Sequence, residues 1–143
     1  MKLKFDASKC TSCQACQMAC LDQNDIQTDA GQKPLCRIFP RETSGRIILA
    51  FQRCIHCGKC VSVCPTGCLF QADGLVLADD SRCIACRVCE KVCPMDVISF
   101  SPDTGKVQKC DGCVGRVRAG LLPACVHTCP TGALYTEERT DCK

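Results

Sequence analysis

Cysteine recurs along this chain with a fixed step. Three runs share one spacing: Cys10-x2-Cys13-x2-Cys16-x3-Cys20, Cys54-x2-Cys57-x2-Cys60-x3-Cys64 and Cys83-x2-Cys86-x2-Cys89-x3-Cys93. A fourth group opens as Cys110-x2-Cys113, waits eleven residues, and closes as Cys125-x3-Cys129. Together they use sixteen of the nineteen cysteines. Pro65, Pro94 and Pro130 follow the last cysteine of groups two, three and four, while Leu21 takes that place in group one. The chain has 143 residues, 4% aromatics and no Trp, so ordinary side chains offer little bulk for a core and the thiols must supply much of the interior.

Three chemistries use thiols in this number, and the spacing separates them. A disulfide framework suits small secreted domains, but the cysteine total is odd and Met1 to Asp6 holds no apolar signal region. Zinc takes two CxxC pairs in a tetrahedral site, which leaves the triple-cysteine runs and the following prolines without a reason. The run C-x2-C-x2-C-x3-C-P is the iron–sulfur pattern: two-residue steps aim successive thiolates at neighbouring irons of a cubane, and the x3 step carries the fourth thiolate into the other cluster. One run is therefore incomplete alone. Groups two and three complete each other, as Cys54, Cys57, Cys60 with Cys93, and Cys83, Cys86, Cys89 with Cys64. Groups one and four then form the second pair, as Cys10, Cys13, Cys16 with Cys129, and Cys110, Cys113, Cys125 with Cys20. The expected cofactors are four [4Fe-4S] clusters. On this reading group four lengthens one loop without losing a ligand.

The formal charge of +3 would suggest a nucleic-acid partner if the thiols stayed neutral. Four oxidised clusters at about 2− each, with their thiolates, take the balance to about −5, so no nucleic-acid partner is expected. Lys9, Arg53, Lys59, Arg82, Arg87, Lys91 and Lys109 sit beside or within the cysteine groups and are expected as a solvated charged surface. The longest apolar run, Ile47 to Phe51, is far short of the roughly 20 residues that span a bilayer, so no direct membrane insertion is expected either.

Between the groups the sequence suggests short strands at Gly74 to Leu77 and Val97 to Phe100, a turn at Pro102 to Gly105 before Lys106 to Gln108, and a strand over Arg46 to Phe51 inside the insertion 21–53. Residues 131 to 143 read as a short polar tail. Three cysteines remain. Cys68, in Cys64-Pro65-Thr66-Gly67-Cys68, aligns with Ala133 in Cys129-Pro130-Thr131-Gly132-Ala133 and is expected as a small buried filler. Cys36 and Cys142 are expected as surface thiols, and His56 and His127 as surface residues or neighbours of the ligands. No GxGxxG, phosphate loop or CxxxCxxC is present, so catalysis on an organic substrate is not expected, and the chain reads as no enzyme by itself.

These residues resemble the four-cluster ferredoxin-like electron-transfer subunits of molybdenum or tungsten pterin oxidoreductases, formate-linked hydrogenases and related complexes. The fourth group carries the resemblance most specifically, with Asp111, Arg116, Gly120 and Pro123 between its cysteines, and Cys54-x-His56-Cys57 with Cys64-Pro65-Thr66-Gly67 is similar to the family's second motif. The chain departs from many members in leaving only Gly58 and Lys59 between Cys57 and Cys60, in being shorter, and in lacking a further C-terminal segment.

The resemblance implies an α+β fold of two interlocked dicluster modules with small antiparallel hairpins and short helices. Residues 54–107 would form the inner module, and 1–53 with 108–143 a discontinuous outer one. It implies a relay of single electrons between a catalytic subunit and a second redox protein or subunit. The catalytic partner would be of the aldehyde oxidoreductase, formate dehydrogenase or hydrogenase-linked kind, in the cytoplasm. A free polyferredoxin carrier and a self-associating electron wire are the alternatives.

Overall fold

The computed structural model describes residues 2–29 and 31–137, so Cys142 lies outside the described residues. Short elements follow one another: β1 (Lys2–Phe5), α1 (Ala15–Gln23), β2 (Cys36–Thr43), β3 (Arg46–Arg53), α2 (Lys59–Ser62), β4 (Leu69–Ala72), β5 (Leu75–Ala78), a 3-10 turn (Asp80–Arg82), α3 (Val88–Lys91), β6 (Ser99–Phe100), β7 (Val107–Gln108), α4 (Val114–Arg118), α5 (Ala124–His127) and β8 (Leu134–Glu137). The strands form four separate antiparallel pairs, β1 with β8, β2 with β3, β4 with β5 and β6 with β7. The result is a small α+β fold of hairpins and short helices.

Turn chemistry explains two of the hairpins. Ser44-Gly45 and Asp73-Gly74 each join strands by a two-residue loop with both residues at positive φ, the combination whose twist matches that of the flanking strands. The longest hairpin, β2–β3, runs from Cys36 opposite Arg53 to Thr43 opposite Arg46. Only its second strand is marked in the sequence; the first carries Arg37, Pro40, Arg41 and Glu42 and shows no alternation. The tail reading also needs correction, because Leu134–Glu137 pairs with Lys2–Phe5 and brings the two ends of the described chain together. The strand expected over Val97 to Phe100 shortens to Ser99–Phe100.

Two hydrophobic cores result. One gathers Cys16, Cys20, Leu21, Ile26, Cys36 and Cys125 among its buried residues, with the Phe5 and Phe51 rings 5.6 Å apart at its edge. The other is built on Cys60, Cys68, Leu69, Val76, Cys89 and Val107, with Val76 fully buried. Each is part aliphatic and part thiol. Among the described residues no helix is long and apolar enough to cross a membrane.

Candidate metal centres

The cysteine loops share one backbone device. Ser12 and Gln14, His56 and Gly58, and Ala85 and Arg87 all lie at positive φ, two and four residues after the first cysteine of their runs. In group four Gly112 takes the first of these places, and Cys113 itself turns left-handed as the chain enters α4. A left-handed residue other than glycine costs about 1–2 kcal/mol, so strain recurring at matched positions marks a loop held to a purpose. Alternating the backbone in this way curls successive amides inward to make an anion-binding nest. Two of those amides donate to sulfur, His56 N to Cys54 Sγ and Gly112 N to Cys110 Sγ, each at 3.4 Å.

The third cysteine of every group is the second residue of a helix: Cys16 in α1, Cys60 in α2, Cys89 in α3 and Cys125 in α5. This equivalence explains the eleven-residue insertion. The chain leaves Cys113 through α4, turns at Gly120 (φ +77°), and re-enters at Pro123, which caps α5 and is fully buried. Arg116 stitches the excursion, its Nε donating to the Leu122 carbonyl at 2.9 Å and its Nη1 to Gln23 Oε1 at 3.2 Å. Arg116, Gly120 and Pro123 thus return Cys125 to the same helical place as its counterparts.

Four cavities draw the thiols together. One is lined by Cys10, Cys13, Cys16 and Cys129. A second is lined by Cys54, Cys57, Cys60 and Cys93. A third takes Cys64, Cys83, Cys86 and Cys89, with Cys68 beside them. The fourth takes Cys20, Cys110, Cys113 and Cys125, with Cys36 beside them. Each therefore collects three thiols of one group and one of another. The first three hold about 20 Å³ apiece and the fourth about 420 Å³, opening toward Lys2, Lys4 and Arg53. Among the described residues no three of His, Cys, Asp and Glu stand close enough to hold a single ion. Thiols spread around a cavity suit a cubane, whose irons each take one thiolate, better than tetrahedral zinc.

The cavities adjoin one another: Cys36, beside the fourth, donates to the carbonyl of Cys16 in the first, Ile55 lines both the fourth and the second, and α2 and α3, which carry Cys60 of the second and Cys89 of the third, pack together. Burial pushes Cys110 up to about 12 and Cys89 up to about 11. Burial also raises Cys64 and Cys129, but backbone amides, led by Leu69 and Leu134, and the Thr66 and Thr131 hydroxyls, 3.7 and 3.8 Å from the sulfurs, outweigh it and leave both thiols below their ordinary value.

Two residues, Cys36 and Lys109, fall elsewhere than the sequence suggests, while His56 stands beside Cys54 as a neighbour of the ligands. Cys36 is no surface thiol: it is 3% exposed, its Sγ donates to the Cys16 carbonyl at 3.7 Å, and its contact holds Cys16 at about 7. The pairing of β2 with β3 draws it inward, and no alternation of polar and apolar residues marks that strand. Lys109 is not part of a solvated surface but is 6% exposed, its Nζ bound to the carbonyls of Val76 and Cys110. His56 is half-buried and accepts the Val76 amide at Nδ1 (3.0 Å), and burial followed by the charges of Lys109 and Arg53 lowers it to about 4. His127 is exposed, and Cys68 is buried beside Leu69.

Comparison with known proteins gives this arrangement its class. A 4Fe-4S dicluster domain family model matches residues 45–139, and a second 4Fe-4S dicluster domain model matches residues 9–69. The chain belongs to the 4Fe-4S dicluster family, and its two dicluster domains provide for four [4Fe-4S] clusters. It is 36% identical to a subunit of the anaerobic dimethyl sulfoxide reductase of Haemophilus influenzae, covering 91% of this chain and 70% of that subunit. It is 40% identical to the thiosulfate reductase electron transfer subunit PhsB of Salmonella typhi, covering 90% and 71%. With the formate dehydrogenase-O iron-sulfur subunit of Escherichia coli the identity is 34% over 92% of this chain, which spans about half (51%) of that relative's length.

Proposed function

We propose that this chain relays single electrons between a catalytic subunit of the molybdenum- or tungsten-pterin oxidoreductase type and a second redox protein or subunit. The observation that carries this reading is the set of four adjoining thiol-lined cavities. When bound, each cluster takes up and gives back one electron. The sixteen cysteines of the four groups are proposed as its ligands in the quartets that line the cavities. The left-handed loops fix the first three thiols of each run, and the helix that follows carries the fourth across to its neighbour. The proposed division into an inner module, residues 54–107, and an outer one, 1–53 with 108–143, is supported by the two separate cores.

The relatives named above serve dimethyl sulfoxide reductase, thiosulfate reductase and formate dehydrogenase, which supports a catalytic partner of that broad kind. A cytoplasmic site of action belongs to the same proposal, in keeping with the reducing conditions that keep thiols available for cluster ligation. The test is elemental analysis of the native protein purified without oxygen together with whatever remains bound. About sixteen Fe per chain with Mo or W is expected. Single replacements Cys13→Ser, Cys57→Ser and Cys86→Ser, at exposed thiols, should each cost one cluster. Zinc in place of iron would overturn the reading.

A further inference from the structure

Resting on the relay just proposed, we infer that the buried ammonium of Lys109 is the electrostatic joint between the two central clusters, raising their reduction potentials together. Val76, whose carbonyl accepts from Lys109 Nζ, lines the cavity of Cys54, Cys57, Cys60 and Cys93. Cys110, whose carbonyl accepts from the same Nζ at 2.9 Å, lines the cavity of Cys20, Cys113 and Cys125. One cation therefore bonds the walls of two neighbouring cavities. The Val76 amide donates to His56, which lies between Cys54 and Cys57 in the chain and lines the cavity of Cys20, Cys110, Cys113 and Cys125.

The burial is what gives Lys109 this role. A buried ammonium is expensive without a compensating charge, and Lys109 makes no ion pair with a carboxylate among the described residues. The nearest acid in sequence, Asp111, makes no ion pair with it; its Oδ1 accepts the Cys113 amide at 2.7 Å. Two carbonyls satisfy two of its three donors but supply no net charge. The negative charge on either side, the thiolates and the clusters they hold, is the compensation the site offers, and each added electron increases it. In a medium of low dielectric a fixed positive charge favours the reduced, more negative state. The other cations near the loops are more open to water: Lys59, Arg87 and Lys91 are exposed, with Arg87 3.7 Å from Glu90, and Arg53 and Lys106, which donate to the Cys54 and Cys83 carbonyls, are half-buried, so solvent weakens what they impose. Lys109 is a positioning residue in this sense, acting on potential without accepting an electron.

The experiment is an EPR-monitored redox titration of the native complex carrying Lys109→Gln, which keeps two hydrogen-bond donors and removes the charge. Iron per chain is measured alongside, and midpoints are assigned with the single-ligand variants above. At full iron, both central midpoints should fall by a tenfold change in the reduction equilibrium or more, about 59 mV for one electron, while the outer two stay in place. Lys109→Arg should remain within tenfold of the native values. Full iron with only one or neither central midpoint moved, with all four moved alike, or with Lys109→Arg displaced by more than tenfold would overturn the inference. If Lys109→Gln loads fewer clusters, Lys109→Arg decides: full iron with native midpoints supports the charge, and loss of iron there too assigns Lys109 to packing instead. A native chain with far fewer than about sixteen Fe would sink the relay itself, before any variant is compared.

Discussion

Cys68 and Ala133 occupy the same place in the two cores: each stands four residues beyond the last cysteine of its group, follows a glycine at φ +63°, and is buried, at 2% and 1% exposure. Leu69 and Leu134 come next and open β4 and β8. The position therefore needs a small side chain beneath the strand, and the Cys68 sulfur is not one of its requirements. Cys68→Ala should keep all four clusters and cost about 1 kcal/mol or less. Cys68→Leu should cost about 1–3 kcal/mol through overpacking. Iron analysis and anaerobic denaturant unfolding of both variants read the two outcomes.

Leu21 explains why one cysteine helix is longer than the others. The helices carrying Cys60, Cys89 and Cys125 are four residues long, and Pro65, Pro94 and Pro130 follow soon after each. With Leu21 in that place, α1 runs nine residues to Gln23, and the Leu21 carbonyl receives the amide of Ile26 at 3.0 Å. Leu21→Pro removes a helical donor, brings the ring against the preceding turn and empties a buried leucine. A loss of about 3 kcal/mol or more is expected. Denaturant unfolding with iron followed in parallel should show the midpoint falling, with the iron held through Cys16 and Cys20 lost as α1 unfolds.

What was legible in the sequence was local. The cysteine spacing, the filler at Cys68 and the strand after Arg46 each depend on residues a few places apart. What was not legible depends on distant pairing. β8 pairs with β1 across nearly the whole chain, and β2 is a strand because β3 folds back on it through Ser44-Gly45, despite Pro40 and its charges. Cys36 is buried as a consequence of that hairpin. The burial of Lys109 likewise follows from where Val76 is placed, more than thirty residues earlier in the chain. The Ser44-Gly45 and Asp73-Gly74 dipeptides were signals available for the missed first strands of their hairpins.

The left-handed loop positions make a paired prediction. Ala85 is exposed at φ +56°, so Ala85→Gly relieves backbone strain without giving up packing, against the greater entropy of glycine in the unfolded chain. A net gain of about 0.5–1 kcal/mol is expected. Gly58 lies at φ +81°, and a Cβ there would stand 2.6 Å from Gln71 Nε2. That side chain is flexible and can move aside, so the backbone sets the penalty: Gly58→Ala should cost about 1–2 kcal/mol. Thermal melting of the loaded protein under anaerobic conditions gives the signs. Gains or losses of the same sign in both variants would contradict a left-handed requirement shared by these loops.

Cys36 reports on what the clusters do for the fold. It lies beside the widest cavity, 3% exposed, among Cys16, Cys20 and Cys125, and these four thiols form a large part of one core. Six aliphatic side chains share that core with them, and the chain has only 4% aromatic residues to add bulk. A core built this way depends on its metal, because the free energy of cluster binding is also folding free energy. In the loaded protein, iodoacetamide should leave both Cys36 and Cys68 unmodified, since each is buried, though neither is among the proposed ligands. Removing iron with a chelator under anaerobic conditions should abolish the visible absorbance and the far-ultraviolet helical signal together, and expose Cys36 to alkylation in the same step. Mass spectrometry of the alkylated chain measures this site by site. Rapid labelling of Cys36 while the iron remains bound would contradict its burial, and a protein that keeps its helical signal and its protected Cys36 after losing all iron would show a core that stands without the clusters.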